Sequence, residues 1–309
     1  MISILMATYN GESYIGEQIE SLLAQMVQDF ALYIRDDCST DNTYAIAQTY
    51  AQAHPGKIVV SRGQENSGSA KHNFMCLMIE HNRDDYIMLC DQDDVWLPDK
   101  VEKTFKKLQE MEKKHGIETP LLVHTDLCVV DGALRVVEPS FKAAMNADYS
   151  KTGLNQLLVQ NTLTGCTAMY NRALAELLRE EPPYMVMHDW WLMLVAAAFG
   201  KIGQLDEQTI LYRQHSQNQI GAKNVNTLRY KLDRFFHGEE VRAALRQTYG
   251  QSESFLSVYG EMLSPDQRNL LRQYMETPKL SKLARWKRVR SLGTLKNGFS
   301  RNVAHFLYI

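Results

Sequence analysis

Tyr86-Ile87-Met88-Leu89-Cys90-Asp91-Gln92-Asp93-Asp94 decides the fold: a five-residue apolar run passes directly into three carboxylates within four positions. The run shows no polar alternation, so both of its faces are covered, as in a strand of a parallel sheet between helical layers. Pro98-Asp99 then opens a helix that His115-Gly116 closes. The acidic cluster therefore stands at the carboxyl edge of a strand, where open α/β sheets bind their ligands.

The same alternation extends outward from this strand. Upstream, Ile2 to Ala7 reads as a first strand, and Ile15, Ile19, Leu22 and Leu23 form the apolar stripe of a helix between Ser13 and Gln25. Phe30 to Arg35 is a second strand. Ser39-Thr40-Asp41-Asn42 caps a helix towards His54, which Pro55-Gly56 stops. Lys57 to Ser61 is a third strand, and Asn66-Ser67-Gly68 leads into a helix over Ala70 to Glu80. Downstream come a strand over Leu121 to Val130, a turn at Asp131-Gly132, a less regular stretch to Gly153, and a helix and strand around Leu157 to Tyr170. After Asn218 the strand pattern ceases and the rest reads as helices. The expectation is an α/β fold, a Rossmann-like, mostly parallel sheet flanked by helices over residues 1–220, with a helical C-terminal region over 221–309.

Composition bounds the function classes. The chain of 309 residues is 45% hydrophobic and 23% charged, which excludes a disordered protein and a collagen. No apolar run approaches the ~20 residues that span a bilayer. The first residues lack a basic region before the apolar run and read as a strand, not a signal peptide, so a cytoplasmic location is expected. Cys38, Cys76, Cys90, Cys128 and Cys166 are odd in number and never spaced Cys-x-x-Cys, a pattern of reduced core residues and not of a disulfide framework or zinc site. The formal charge of −2 conceals an asymmetry: Lys279 to Ile309 holds eight Lys or Arg and no Asp or Glu, leaving −10 on the first 278 residues. Those cations are interleaved with Leu283, Trp286, Val289 and Leu292. Two readings stay open, an amphipathic face on an anionic membrane surface, or a stripe packed on its own domain or on a second copy in a homodimer. Nucleic acid is disfavoured as a partner by the acidic body and the lack of a recognised module.

Three clustered carboxylates repel one another unless a cation neutralises them, and Mg²⁺ or Mn²⁺ is the hard cation that suits carboxylate oxygens and substrate phosphates. Asp91 and Asp93, two positions apart, allow one to meet the metal and the other a ribose hydroxyl or metal-bound water; a solvated acidic turn is the plain alternative. Thr8-Tyr9-Asn10-Gly11 and Asp36-Asp37 end the first two strands on the same edge. Together they offer partners for a pyrimidine and its ribose, Tyr9 stacking on the base, although each also serves as a turn or cap. Gly68-Ser69-Ala70-Lys71 lets backbone approach a phosphate at a helix N-terminus, with Lys71 as a point charge.

These motifs resemble the inverting glycosyltransferases of family 2, which have a GT-A fold. The resemblance covers about residues 1–220 and rests on Ala7-Thr8-Tyr9-Asn10-Gly11, Arg35-Asp36-Asp37-Cys38-Ser39, Asp91-Gln92-Asp93-Asp94-Val95-Trp96, Met187-His188-Asp189-Trp190-Trp191 and Tyr212-Arg213-Gln214-His215. Within the family the segments are most similar to the bacterial α-1,3-rhamnosyltransferases of cell-wall and capsular rhamnose polysaccharides, including Tyr212 to Gly221. The resemblance implies that Thr8, Tyr9 and Glu12 line the nucleotide, that Asp37 accepts from the N3–H of the base, that Asp91 contacts ribose and that Asp93 holds the metal. It implies Asp189 as general base, and Arg213 and His215 over the diphosphate, His215 as a further metal ligand. It also implies a dTDP-β-L-rhamnose donor and a lipid-linked saccharide acceptor at the cytoplasmic face of a membrane. Cys38 departs from the glycine or asparagine common in relatives.

Other residues have two uses. Asp189 also suits a helix cap before Leu192 to Phe199, while Trp190 and Trp191 offer apolar faces to a sugar. Gly165 and Cys166 lie under a donor or acceptor sugar or fill a buried small-residue strand. His215 by itself reads as a loop histidine, and Trp96 as packing. Three rival functions are weighed. A UDP-hexose donor shares the motifs. A nucleotidyltransferase requires a glycine- and cation-rich loop after the first strand, where Thr8-Tyr9-Asn10-Gly11-Glu12 stands instead. A non-catalytic sugar-binding module is expected to have lost Asp93 or Asp189, and both are present.

Overall fold

The computed structural model of the chain describes residues 1–215 and 238–309. These fall into two compact units. Among the described residues the first comprises 1–141, 163–181 and 200–215, and the second 142–162, 182–199 and 238–309. The expected boundary between 220 and 221 lies outside the described residues, as does the end of the Tyr212 to Gly221 segment. Residues 142–162 and 182–199 group with the C-terminal helices, so the division is not a single cut in the chain.

The first unit holds one nine-stranded sheet in the order β3-β2-β1-β4-β8-β6-β9-β5, with β7 paired to β6. The strands are β1 (Ile2–Thr8), β2 (Phe30–Asp36), β3 (Ile58–Arg62), β4 (Tyr86–Cys90), β5 (Val95–Trp96), β6 (Leu121–Val130), β7 (Val136–Glu138), β8 (Ala168–Asn171) and β9 (Lys201–Arg213). From β3 to β4 every pairing is parallel, and helices α1 (Ile15–Leu23), α2 (Thr43–Ala53) and α3 (Ala70–Glu80) make the crossovers. Beyond β4 the order is mixed: β8 runs antiparallel to both β4 and β6, and β6 pairs parallel with β9. All seven residues of β1, all four of β8 and all ten of β6 are buried. Ile4 and Met6 share one core with Ile15, Ile19 and Leu22 of α1 and with Val101, Leu108 and Met111 of α4 (Lys100–His115). That stripe, with Lys113, Lys114 and His115 in the last turn and Gly116 at φ +91°, is what makes α4 a helix and ends it.

The register sets the carboxyl edge that concerns function. Thr8 pairs with Asp36, and Met6 with Cys90, so the loops after β1, β2 and β4 emerge side by side. The two-residue β5, which the sequence did not reveal, turns back to pair with Ile210 and Leu211 of β9. It folds the acidic loop over the edge instead of releasing it into α4.

The second unit is helical: α5 (Leu154–Leu157), α6 (His188–Phe199), α7 (Gly238–Tyr259), α8 (Pro265–Glu276), α9 (Lys282–Leu292) and α10 (Phe299–Tyr308). Ser264 and Gln267 form a reciprocal cap that starts α8. The basic C-terminal segment is part of this packing. In α9, Val289 is buried, Trp286 donates its indole N–H to the Phe306 carbonyl at 2.6 Å, and Arg285 donates to the Leu280 and Pro278 carbonyls. Lys296 and Arg301 are buried as well. Much of the apolar stripe thus packs within its own unit; Lys279, Lys282, Leu283, Lys287 and Arg290 stay exposed. No helix among the described residues is long and apolar enough to cross a membrane.

Candidate active site

At the edge of the sheet the β1 loop is fastened on two sides. On one, the N–H groups of Asn10, Gly11 and Glu12 donate to Ser39 Oγ, Thr43 Oγ1 and Asp41 Oδ2 at 2.9, 2.7 and 3.1 Å. In return Asn10 Oδ1 accepts from the Thr40 N–H at 2.8 Å. On the other, Gln92 bridges the strand ends: its Oε1 accepts from the Tyr9 N–H and its Nε2 donates to the Tyr9 carbonyl, both at 2.9 Å. Tyr9 is 47% exposed, so its ring is available while its backbone is held. Gly11 is required by this bridge, because a Cβ there would lie 2.4 Å from Gln92 Cδ.

The β2 loop holds two acids with different surroundings. Asp36 is fully buried and accepts from Ser39 N–H and Oγ at 2.9 and 2.5 Å, with Arg62 3.3 Å away. Asp37, also buried, accepts from the Ser67 N–H and hydroxyl at 3.0 and 2.8 Å, which pins the loop before α3. Cys38 sits at φ +60°. That left-handed conformation favours glycine and asparagine, which accounts for the residues expected there in relatives. Glu12 carries its carboxylate to Asn42, accepting from the backbone and side-chain N–H at 2.9 and 2.8 Å. Lys71 stands in the first turn of α3, beyond the left-handed Gly68 (φ +72°).

The acidic loop after β4 is divided between inside and outside. Asp91 and Asp93 are partly exposed, whereas Asp94 is fully buried. Asp93 Oδ2 lies 2.9 Å from His215 Nε2, and the His215 ring stacks on Tyr14 at 4.6 Å. Burial pushes the Asp93 carboxyl up, and the hydrogen bond and charge of His215 pull it back. Asp94 accepts the Arg213 N–H at 3.1 Å through Oδ1; its Oδ2 has no hydrogen-bond partner among the described residues. Burial, with Asp91 and Asp93 nearby, drives its carboxyl well above the usual range.

Beneath it lies Lys100, also fully buried, with Nζ 4.4 Å above the Trp96 ring and no hydrogen-bond partner among the described residues. Burial lowers the Lys100 pKa to about 8 against the raising influence of Cys166, Cys90 and Asp94. Trp96 is 2% exposed and packs, as expected.

Arg213 is 3% exposed, and its guanidinium is directed into the protein. Nε donates to the Asp93 carbonyl at 2.9 Å, Nη1 to the Gly132 carbonyl at 2.8 Å and Nη2 to Glu17, while the Tyr14 ring lies 4.8 Å away. Expected over a diphosphate, this side chain instead braces the acidic loop against α1 and the β6–β7 turn.

Gly165 and Cys166 belong to a buried 3₁₀ turn before β8. Ligand atoms of Asp91, Asp94 and Cys166 lie within 4.8 Å of one another. The inner two fit a divalent ion poorly: burial holds the Cys166 thiol well above its usual pKa, and thiols ligate as thiolates. The accessible oxygens, on Asp91 and Asp93, fit Mg²⁺ or Mn²⁺, which keep several water or phosphate ligands.

Asp189, Trp190 and Trp191 belong to the helical unit. Asp189 is the second residue of α6, 8% exposed, and its Oδ1 accepts the Trp190 N–H at 2.6 Å. Burial lowers the pKa of the neighbouring His188 to about 3. Trp190 donates its indole N–H to the Leu157 carbonyl at 2.7 Å. Trp191 is a correction: it is 1% exposed, with its ring against Phe255 and Tyr259 at 5.3 and 5.9 Å, so it fills the core and offers no face to a sugar.

Sequence reading missed Gln92, Tyr14, Glu17, Ser67 and Lys100. Gln92 alone carried a signal, being the one amide inside an acidic run; the others act through contacts that spacing does not reveal.

The glycosyl transferase family 2 profile matches residues 3–117. The chain is 29% identical over 239 residues to the dTDP-rhamnosyl transferase RfbG of Shigella flexneri, covering 73% of this chain and 77% of that one. Among solved structures it is similar to S. aureus TarS (residues 1–349) in complex with UDP-GlcNAc, with a TM-score of 0.59, 17% identity, and 94% and 80% of the two chains covered. It is also similar to the mannosyltransferase PcManGT of Pyrobaculum calidifontis in complex with GDP-Man and Mn²⁺, with a TM-score of 0.53, 15% identity, and 94% and 72% covered. The chain carries a glycosyl transferase family 2 domain over residues 3–117, on a GT-A fold.

Proposed function

We propose that this glycosyltransferase moves L-rhamnose from dTDP-β-L-rhamnose to a hydroxyl of a lipid-linked saccharide, with inversion to an α-1,3 linkage, in bacterial cell-surface polysaccharide synthesis. The observation that carries the donor is the 29% identity, over 73% of the chain, to a protein named a dTDP-rhamnosyl transferase. The nucleotide site is the carboxyl edge of β1, β2 and β4. There the exposed Tyr9 stacks on the base, Asp37 accepts from the base N3–H, and Asp91 takes the ribose. Thr8, buried and bonded to Asp36 at 3.3 Å, and Glu12, bonded to Asn42, shape this loop, and Lys71 supplies a charge near the phosphates.

Asp93 with His215 would hold Mn²⁺ or Mg²⁺. When bound, the ion neutralises the charge that develops on the departing diphosphate. Arg213 acts by fixing the loop that bears Asp93 and Asp94. Asp189, directed by the Trp190 N–H, takes the proton from the acceptor hydroxyl as that oxygen attacks the anomeric carbon. The sugar–phosphate bond breaks on the opposite face, and the configuration inverts in one displacement. Trp190 borders the acceptor sugar, whereas Gly165 and Cys166, buried in their 3₁₀ turn, offer it no surface.

The exposed Leu283, Lys287 and Arg290 share one face of α9. We assign that face to an anionic membrane surface, making the enzyme peripheral on its cytoplasmic side. A UDP-hexose is the second donor reading, favoured by the fold shared with TarS bound to UDP-GlcNAc. Incubation with dTDP-rhamnose, UDP-glucose and UDP-N-acetylglucosamine, with and without Mn²⁺, tests both: metal-dependent release of dTDP alone is expected, and release of UDP alone overturns the rhamnose donor.

A further inference from the structure

The helical unit carries an open cleft of 350 Å³ between α5, α8 and α9, a volume within the range of small-ligand sites. Its polar lining is Asn155, Asn269, Gln273, Ser291 and one carboxylate, Asp266. Leu154, Leu270 and Leu292 supply the apolar part. Among the described residues no cation lines the cleft, which disfavours phosphate or any other anion. A side-chain amide donates and accepts at once, and a hydroxyl does the same. Three amides, a hydroxyl and an acid over branched aliphatic side chains match the alternating hydroxyl and C–H surface of a neutral sugar.

The cleft is built into its unit. Asn155 Nδ2 donates to the carbonyls of Leu292 and Gly293 at 3.0 and 3.4 Å, tying α5 to the end of α9. Gly293 takes φ +68°, and a Cβ there would stand 2.7 Å from the same Nδ2. The helix α5 also connects the cleft to the chemistry proposed above. Leu154 and Asn155 line the cleft, and one turn on, Leu157 accepts the Trp190 indole N–H; Trp190 follows Asp189.

We propose that this cleft is a subsite for a neutral saccharide residue of the acceptor chain, away from the residue that is glycosylated. The proposal rests on the reading of the chain as a saccharide-elongating transferase, and its test separates the two. The full chain, without donor nucleotide, is titrated with an α-1,3-linked L-rhamnose trisaccharide and followed by saturation-transfer NMR. The double variant Asn269→Ala/Gln273→Ala removes two amides, and Ser291→Trp fills the cleft. Both change surface positions, and the melting temperature monitors folding. Binding by the unaltered chain that weakens at least fivefold in both variants supports the subsite. Equal binding by all three, or no binding by the unaltered chain, overturns it. Turnover of dTDP-rhamnose is read separately: its absence alongside intact, cleft-dependent binding sinks the donor reading and leaves the subsite standing.

Discussion

Replacing Gly11 with alanine tests the Gln92 bridge on which the nucleotide loop depends. The new Cβ would lie 2.4 Å from Gln92 Cδ and Oε1 and 2.7 Å from Nε2, and the amide is the part that moves. It then loses both bonds to Tyr9. A protein hydrogen bond contributes a net ~0.5–1.5 kcal/mol, and these two are exposed, so about 1–2 kcal/mol is lost in all. If the loop must be ordered to bind nucleotide, affinity falls roughly 5- to 30-fold. Isothermal titration with dTDP reads this directly, and the melting temperature should move little because the loop is at the surface. Gln92→Ala deletes the bridge without a clash and should give the same loss. Unchanged dTDP affinity in Gly11→Ala, or a loss there that Gln92→Ala does not share, would refute the argument.

Three further outcomes are expected. Asp93→Ala should abolish Mn²⁺ binding, and His215→Ala should weaken it by about 10- to 100-fold, as measured by Mn²⁺ electron paramagnetic resonance. Lys100→Met should leave stability in urea unfolding unchanged or raised, because it replaces a fully buried ammonium that has no hydrogen-bond partner among the described residues with an apolar side chain of similar length; a loss of several kcal/mol would show that the ammonium is paired. His188 is held neutral, with its pKa lowered from 6.5 to about 3. The unfolded chain therefore takes up a proton first, and stability that is complete above pH 6.5 falls by about 1.4 kcal/mol per unit as pH drops towards 3. His188→Leu should flatten that acid slope.

The parallel half of the sheet was legible because each strand and helix there follows its own period. The helix over Ala70–Glu80 and the strand over Leu121–Val130 match their expected limits, and the acids appear at the strand ends where the apolar runs stop. What spacing cannot show is the direction of a side chain. Arg213 was read by its charge, yet its partners are carbonyls and Glu17; Trp191 was read by its neighbours, yet it packs on Phe255. The pairing of Val95 with Leu211 joins positions more than a hundred residues apart and leaves no local signal. In the C-terminal region the interleaved cations and apolar residues left a membrane face and a packed stripe equally open, because the burial of Val289, Lys296 and Arg301 depends on tertiary packing that spacing does not reveal.

The central claim is a single inverting displacement with Asp189 as base, and it is tested most directly by Asp189→Asn. The variant and the unaltered chain are incubated with dTDP-β-L-rhamnose, Mn²⁺ and a rhamnose-terminated acceptor. Product is followed by NMR of the new anomeric carbon, and dTDP affinity by titration. The account predicts an α-linked product from the unaltered chain, loss of transfer by at least a hundredfold in Asp189→Asn, and dTDP affinity within twofold of the original. A β-linked product, or transfer by Asp189→Asn at the original rate, would contradict it.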